Sequence, residues 1–108
     1  RETDFYMLGW GVPTLDSHYV FAYLLDAAGS WNAAGYNNAR VNELTAAMAT
    51  EIDLDKRTTM INEAWTLVQA DMPYVPIHHQ VLAWGLASTV DIPIAADDAF
   101  RPRYAVMQ

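Results

Sequence analysis

The run Phe5-Tyr6-Met7-Leu8-Gly9-Trp10-Gly11-Val12-Pro13-Thr14-Leu15-Asp16-Ser17 decides how this 108-residue chain is read. Phe5 to Leu8 are four apolar residues in succession, the pattern of a strand buried on both faces, as parallel sheets require. An α/β fold class follows from that reading. Gly9 and Gly11 flank Trp10 and allow close backbone approach or positive φ. Pro13 pushes Val12 toward an extended conformation, so the strand ends in a stiff turn. An indole beside exposed backbone, with Asp16 nearby, suits capture of a small organic solute by stacking, hydrogen bonds and one cationic group. The competing reading makes Trp10 simple core.

Before this run, residues 1–4 form a polar lead-in. After it, Asp16 or Ser17 can cap a short helix over about His18 to Asp26, with Tyr19, Val20, Tyr23 and Leu24 at helical spacing. Ala27 to Asn37 reads as loop, broken by Gly29, Ser30, Asn32 and Gly35. It carries Trp31 and Tyr36, aromatics that either pack back on the domain or face a ligand. Asn38 caps a helix to about Glu51 whose stripe is Val41, Leu44, Met48 and Ile52. Asp53 caps a second helix from Leu54 to about Ala70, with Met60, Ile61, Ala64, Leu67 and Val68 inward and Pro73 marking its end. A connection of two or three residues predicts a helical hairpin. Arg57 falls on its inner side, where a carboxylate partner is expected. Tyr74 to Ile77, Val81 to Leu86 and Val90 to Ile94 read as extended segments, with Pro76 and Pro93 restricting their sheet positions. Loop through Asp97, Asp98, Arg101 and Pro102 leads to a last strand at Tyr104 to Met107.

Thirteen acidic residues against six basic ones give a formal charge of −7, which argues against a nucleic-acid partner and against attraction to anionic lipid. Without cysteine there is neither a disulfide framework nor thiolate chemistry. The apolar runs are far too short for a membrane span. Four Trp, six Tyr and three Phe are rich for so short a chain, whose surface fraction is necessarily high. Either the chain is a well-packed small domain, or some of its apolar faces are meant to be covered by further chain. Arg1 in place of an initiating Met supports reading the sequence as one domain, residues 1–108, excised from a longer protein.

No reactive constellation emerges. In Asp16-Ser17-His18 adjacent side chains diverge, so acid, base and nucleophile cannot align, and capping is the simpler role. His78-His79 on a strand would face opposite sides and cannot readily share one metal ion. The Gly9–Pro13 turn lacks the glycine spacing and lysine of a phosphate loop. The expectation is a non-catalytic protein without metal or cofactor.

Several features in order form a recognisable pattern: the apolar strand with Gly9-Trp10, Gly35-Tyr36-Asn37-Asn38, and Asp53-Leu54-Asp55-Lys56-Arg57. Ala64-Trp65-x-x-Val68 and Asp71-Met72-Pro73-Tyr74-Val75-Pro76-Ile77-His78 follow. The pattern resembles the C-terminal part of the family 5 extracellular solute-binding proteins of bacterial ABC importers, among them dipeptide and oligopeptide receptors. That resemblance implies a fragment of a two-lobed, type II periplasmic-binding-protein-like fold. It implies a periplasmic or extracellular location in the cell envelope, a peptide-like or other small organic solute, and a membrane permease as partner. Trp10, Gly11, Val12 and Pro13 would line the cleft, with Trp31 beside them, and apolar faces left bare would drive self-association. Peptide-binding relatives keep an aspartate for the peptide ammonium in the turn after the Gly-Trp strand. Here that position is Pro13, and Asp16 matches an acidic position just before the following helix. The alternatives are a free-standing interaction domain and, further off, a metal-binding or hydrolytic one.

Overall fold

Side-chain caps set where the helices begin. In the computed structural model, which describes residues 5–95 and 99–107, Asp16 is extended and its carboxylate accepts from the His18 amide at 2.8 Å. This opens helix α1, Ser17–Val20, which continues as one π-helical turn over Phe21–Leu25. The wider turn is closed by the Asp26 amide donating to the Phe21 carbonyl at 2.7 Å. Asn38 accepts from the Arg40 and Val41 amides and starts α2, Ala39–Met48. Asp53 accepts from the Asp55 and Lys56 amides and starts α3, Leu54–Asp71. Each cap satisfies amides that the first helical turn leaves unpaired. At the far end of α3, Met72 turns left-handed, φ 45°, and its amide returns to the Val68 carbonyl. That is the usual geometry of a helix stop, held here by a residue other than glycine.

The helices enclose one apolar core. Phe21, Leu24 and Leu25 meet Val41, Leu44 and Met48 of α2 and Ala64 and Val68 of α3. Each large member contributes about 1.5–3 kcal/mol by leaving water. Phe21 lies against the Trp65 ring, centroids 4.7 Å apart. Thr45, also buried, donates its hydroxyl to the Val41 carbonyl at 2.8 Å, so no polar atom is stranded there.

Three expectations change. Helix α2 stops at Met48, because the Thr50 and Glu51 amides both turn back to the Ala47 carbonyl. The hairpin connection is therefore residues 49–53, and Ile52 leaves the stripe to stand 93 % exposed. Residues 5–8 are not a strand buried on both faces: they are irregular by hydrogen bonding, and exposure alternates, Phe5 and Met7 outward, Tyr6 and Leu8 partly covered. A doubly buried strand needs neighbours on both edges and layers above and below, and the described residues supply none. Residues 74–77 and 81–86 likewise carry no strand pairing.

The chain divides into two compact units, Arg1–Pro76 and Ile77–Gln108. In the second, β1 (Val90–Asp91) pairs antiparallel with β2 (Val106–Met107), Val90 opposite Met107 and Asp91 opposite Val106. A 3₁₀ turn at Pro102–Tyr104 precedes β2, and Trp84 stacks on Phe100 at 5.9 Å. Among the described residues the architecture is thus mostly helical, with one short strand pair. No helix there is long and apolar enough to cross a membrane. The lead-in at residues 1–4 and the predicted loop positions Asp97 and Asp98 lie outside the described residues.

Candidate functional site

The first unit gathers four aromatic rings into a line. Helical spacing places Tyr19 and Tyr23 one turn apart on the face of the 17–25 helix, their ring centroids 4.6 Å apart. Trp10 meets Tyr19 at 5.8 Å, and Trp31 stands edge-on to Trp10 at 6.0 Å. Separations of this size and tilt lie within the range in which aromatic pairs attract. Trp31 is anchored through its backbone, its amide donating to the Tyr23 carbonyl at 3.0 Å, while its side chain stays exposed. Both readings of Trp10 meet in this arrangement: it is half-buried and packs on the helical core, and it also forms the centre of the line. Its indole Nε1 is buried and finds no hydrogen-bond partner among the described residues. An unpaired buried donor costs roughly 1–3 kcal/mol.

The backbone on either side of Trp10 is open. A Cβ added to Gly9 or to Gly11 would meet nothing within 4 Å, and neither glycine has positive φ. These glycines thus do not serve a tight backbone contact. Val12 and Pro13 follow in a turn closed by the Leu15 amide on the Val12 carbonyl at 3.0 Å. Leu15 itself has φ 53°, in the left-handed region that costs a side-chain-bearing residue about 1–2 kcal/mol.

Asp16, the only carboxylate in the 5–17 run, is committed elsewhere. Both its oxygens lie 2.9 Å from Arg57 nitrogens, and one also accepts from the His18 amide. The Arg57 hydrogen bond holds the Asp16 carboxyl below its ordinary value, against the opposing effect of partial burial. Arg57 therefore has the carboxylate partner expected of it. The same guanidinium donates through Nε to the Met48 carbonyl, 3.2 Å away, at the end of α2. As Asp16 is both helix cap and ion-pair partner, the aromatic line has no uncommitted charge from this turn.

A second polar cluster fixes the loop that carries Trp31. Asn32 donates to the carbonyls of Asp26 and Tyr36 and accepts from the Tyr36 amide. The Tyr36 hydroxyl and the Asn38 amide both donate to Asp71, at 2.7 and 2.9 Å. Burial first, then the Asp71 carboxylate, pushes the Tyr36 hydroxyl up to about 12. Burial likewise raises the Tyr74 hydroxyl to about 12, helped by the Tyr6 hydroxyl 3.3 Å away. His78 and His79 are exposed, and among the described residues no three His, Asp or Glu side chains converge as a metal site would require.

Of the residues expected at the site, Trp10 and Trp31 come together, with Gly11 open beside them and Val12 and Pro13 in the adjoining turn. Sequence reasoning missed Tyr19 and Tyr23 as parts of the same surface. Their i,i+4 spacing is the signal that could have joined them to it. No protein-family model, curated protein or solved structure matches the chain.

Proposed function

We propose that this chain is part of a two-lobed α/β solute-binding receptor of a bacterial ABC importer. In that role it forms one wall of the interlobe cleft, and the closed receptor delivers its solute to a membrane permease at the cell envelope. The observation that carries the reading is the Trp31–Trp10–Tyr19–Tyr23 line beside open glycine backbone. Such a surface favours an uncharged or weakly charged organic solute that stacks on the exposed parts of the rings. Because Pro13 replaces the ammonium-binding aspartate of the peptide receptors and Asp16 is tied to Arg57, free peptide ammonium groups are not the favoured cargo. The one-sided exposure of residues 5–8 adds support, since a further sheet layer would pair their backbone and cover Phe5 and Met7.

Two observations test the reading in sequence. The reading frame upstream of Arg1 should encode several hundred residues behind a secretory signal; an immediate start codon would refute it. Native mass spectrometry of that longer protein should then find a co-purified solute, lost in a Trp10→Ala variant that remains folded. A second reading, an interaction domain, draws on Ile52 of the hairpin connection and Leu54 at the start of α3, two large aliphatic side chains held 93 % and 77 % exposed.

A further inference from the structure

We propose that Arg57 is a positioning residue for the cleft wall: it latches the strained turn at Leu15 from behind and so sets where Trp10 stands. The inference rests on the receptor reading for its purpose, though its geometry does not depend on any solute. All three nitrogens of the Arg57 guanidinium are engaged, Nε on the Met48 carbonyl and the two terminal nitrogens on the two Asp16 oxygens. One side chain of α3 thereby joins the end of α2 to the start of α1. Planar, two-point pairing of this kind fixes orientation as well as distance, and a lysine could not reproduce it.

The consequence runs along the chain in both directions. Forward, Asp16 caps α1, whose Tyr19 amide returns to the Asp16 carbonyl at 3.1 Å and whose Tyr19 ring meets Trp10. Backward, Asp16 follows Leu15, held at φ 53°. A leucine leaves that region unless its surroundings over-determine it. The turn's own bond, Leu15 amide to Val12 carbonyl, is a single contact. The ion pair is the fixed point next to it, 21 % and 37 % exposed on its two side chains, and so only partly screened by water. Neither α2 nor α3 requires the latch to form, because each has its own cap and its own buried stripe. Loss of the latch should release the wall and leave the hairpin intact.

The test uses the 108-residue chain and two variants, Arg57→Gln and Asp16→Asn, followed by the Trp10 indole N–H resonance and by amide exchange. Both variants should move that resonance and speed exchange at Leu15 and Tyr19 by about tenfold or more, while Leu44 and Val68 stay within about threefold of the parent. Adding Leu15→Gly, which removes the left-handed strain, should bring the Trp10 resonance back toward its parent position in the Arg57→Gln background. A merely structural arginine would give no such return. An unmoved Trp10 resonance in either single variant overturns the proposal. So does a uniform loss of protection that includes Leu44 and Val68, which would make Arg57 a support of the whole unit. Because no solute enters these measurements, their failure is separate from failure of the receptor reading, which the upstream reading frame decides.

Discussion

The same chemical change, glycine to alanine, should have three different outcomes at four positions, and Gly29 is the severe one. A Cβ there would sit 2.6 Å from the Tyr23 carbonyl oxygen, 2.9 Å from its carbon and 3.0 Å from the Asp26 oxygen, against an ordinary contact of 3.4 Å or more. The clash is with backbone on two sides, so no side-chain rotation relieves it. Those oxygens are also working acceptors: Tyr23 receives the Trp31 amide, and Asp26 receives the Gly29 amide and the Asn32 side chain. Moving both carbonyls would weaken hydrogen bonds worth about 1 kcal/mol each, on top of an overpacking cost of about 1–3 kcal/mol. The lower entropy of an unfolded chain with alanine returns about 0.4–1 kcal/mol. The net expectation for Gly29→Ala is a loss of about 2–3 kcal/mol, or about 10–20 °C in Tm for a unit of this size. Gly35, at φ 70° with free space around it, should lose about 1 kcal/mol from strain alone. Gly9→Ala and Gly11→Ala should be neutral or slightly stabilising, since nothing opposes either Cβ. Thermal unfolding followed by far-UV circular dichroism measures all four. If Gly29→Ala melted within about 2 °C of Gly9→Ala, the close approach of the 29–31 turn to the helix would be wrong, and with it the placement of Trp31 beside Trp10.

Other perturbations separate the core from its ties. Phe21→Ala, at a fully buried position against Trp65, should cost about 3–5 kcal/mol in urea unfolding, a large share of the stability of so small a unit. The Tyr36 hydroxyl has a folded pKa near 12, above its ordinary 10, so its contribution is complete below pH 10 and is lost as pH rises through 12. Tyr36→Phe should flatten that alkaline limb of stability in part, Tyr74 supplying the remainder. For Asp16 the sign reverses: its folded pKa lies below the ordinary 3.8, so its contribution is present above that pH and lost on further acidification. Asp16→Asn should therefore weaken the acid dependence of Tm below about pH 4, whereas an unchanged acid limb would show the Arg57 pairing to be without energetic effect.

What could be read in advance depended on how far along the chain the deciding interaction lies. Asp16, Asn38 and Asp53 each accept amides two or three residues on, so three helix starts were legible from single residues and their immediate sequels. The stripe of Val41, Leu44 and Met48 was legible for the same reason, since its period is a property of the helix itself. Even Arg57's partner was foreseeable in kind, because a guanidinium on an inner helix face must find an acceptor. That the partner is Asp16, 41 residues away, was not. Nor was the π-helical turn, which shifts Phe21, Leu24 and Leu25 inward and leaves Tyr19 and Tyr23 to pair outside.

The Phe5–Leu8 segment shows the limit from the other side. Its composition suits a strand, but a strand exists only where another chain segment accepts its backbone hydrogen bonds, and no local pattern can supply that. The described residues leave Phe5 and Met7 outward and turn Tyr6 toward Tyr74, a period of two without strand pairing. Trp10 is the point where this unpaired stretch meets the helical core, half-buried, ringed by Tyr19 and Trp31, and short of one acceptor. A surface solute or a sheet neighbour would cover different parts of that region: the first the exposed Trp31 and Tyr23 rings, the second the backbone of residues 5–8. Gly11→Val distinguishes them. It adds bulk in the segment that carries Trp10, where an added Cβ meets no other residue within 4 Å, so under the receptor reading it should weaken solute binding by the longer protein while leaving Tm within about 2 °C. Should Tm instead fall by as much as for Gly29→Ala, that space is occupied by chain, and the wall at Trp10 is packing and not cleft.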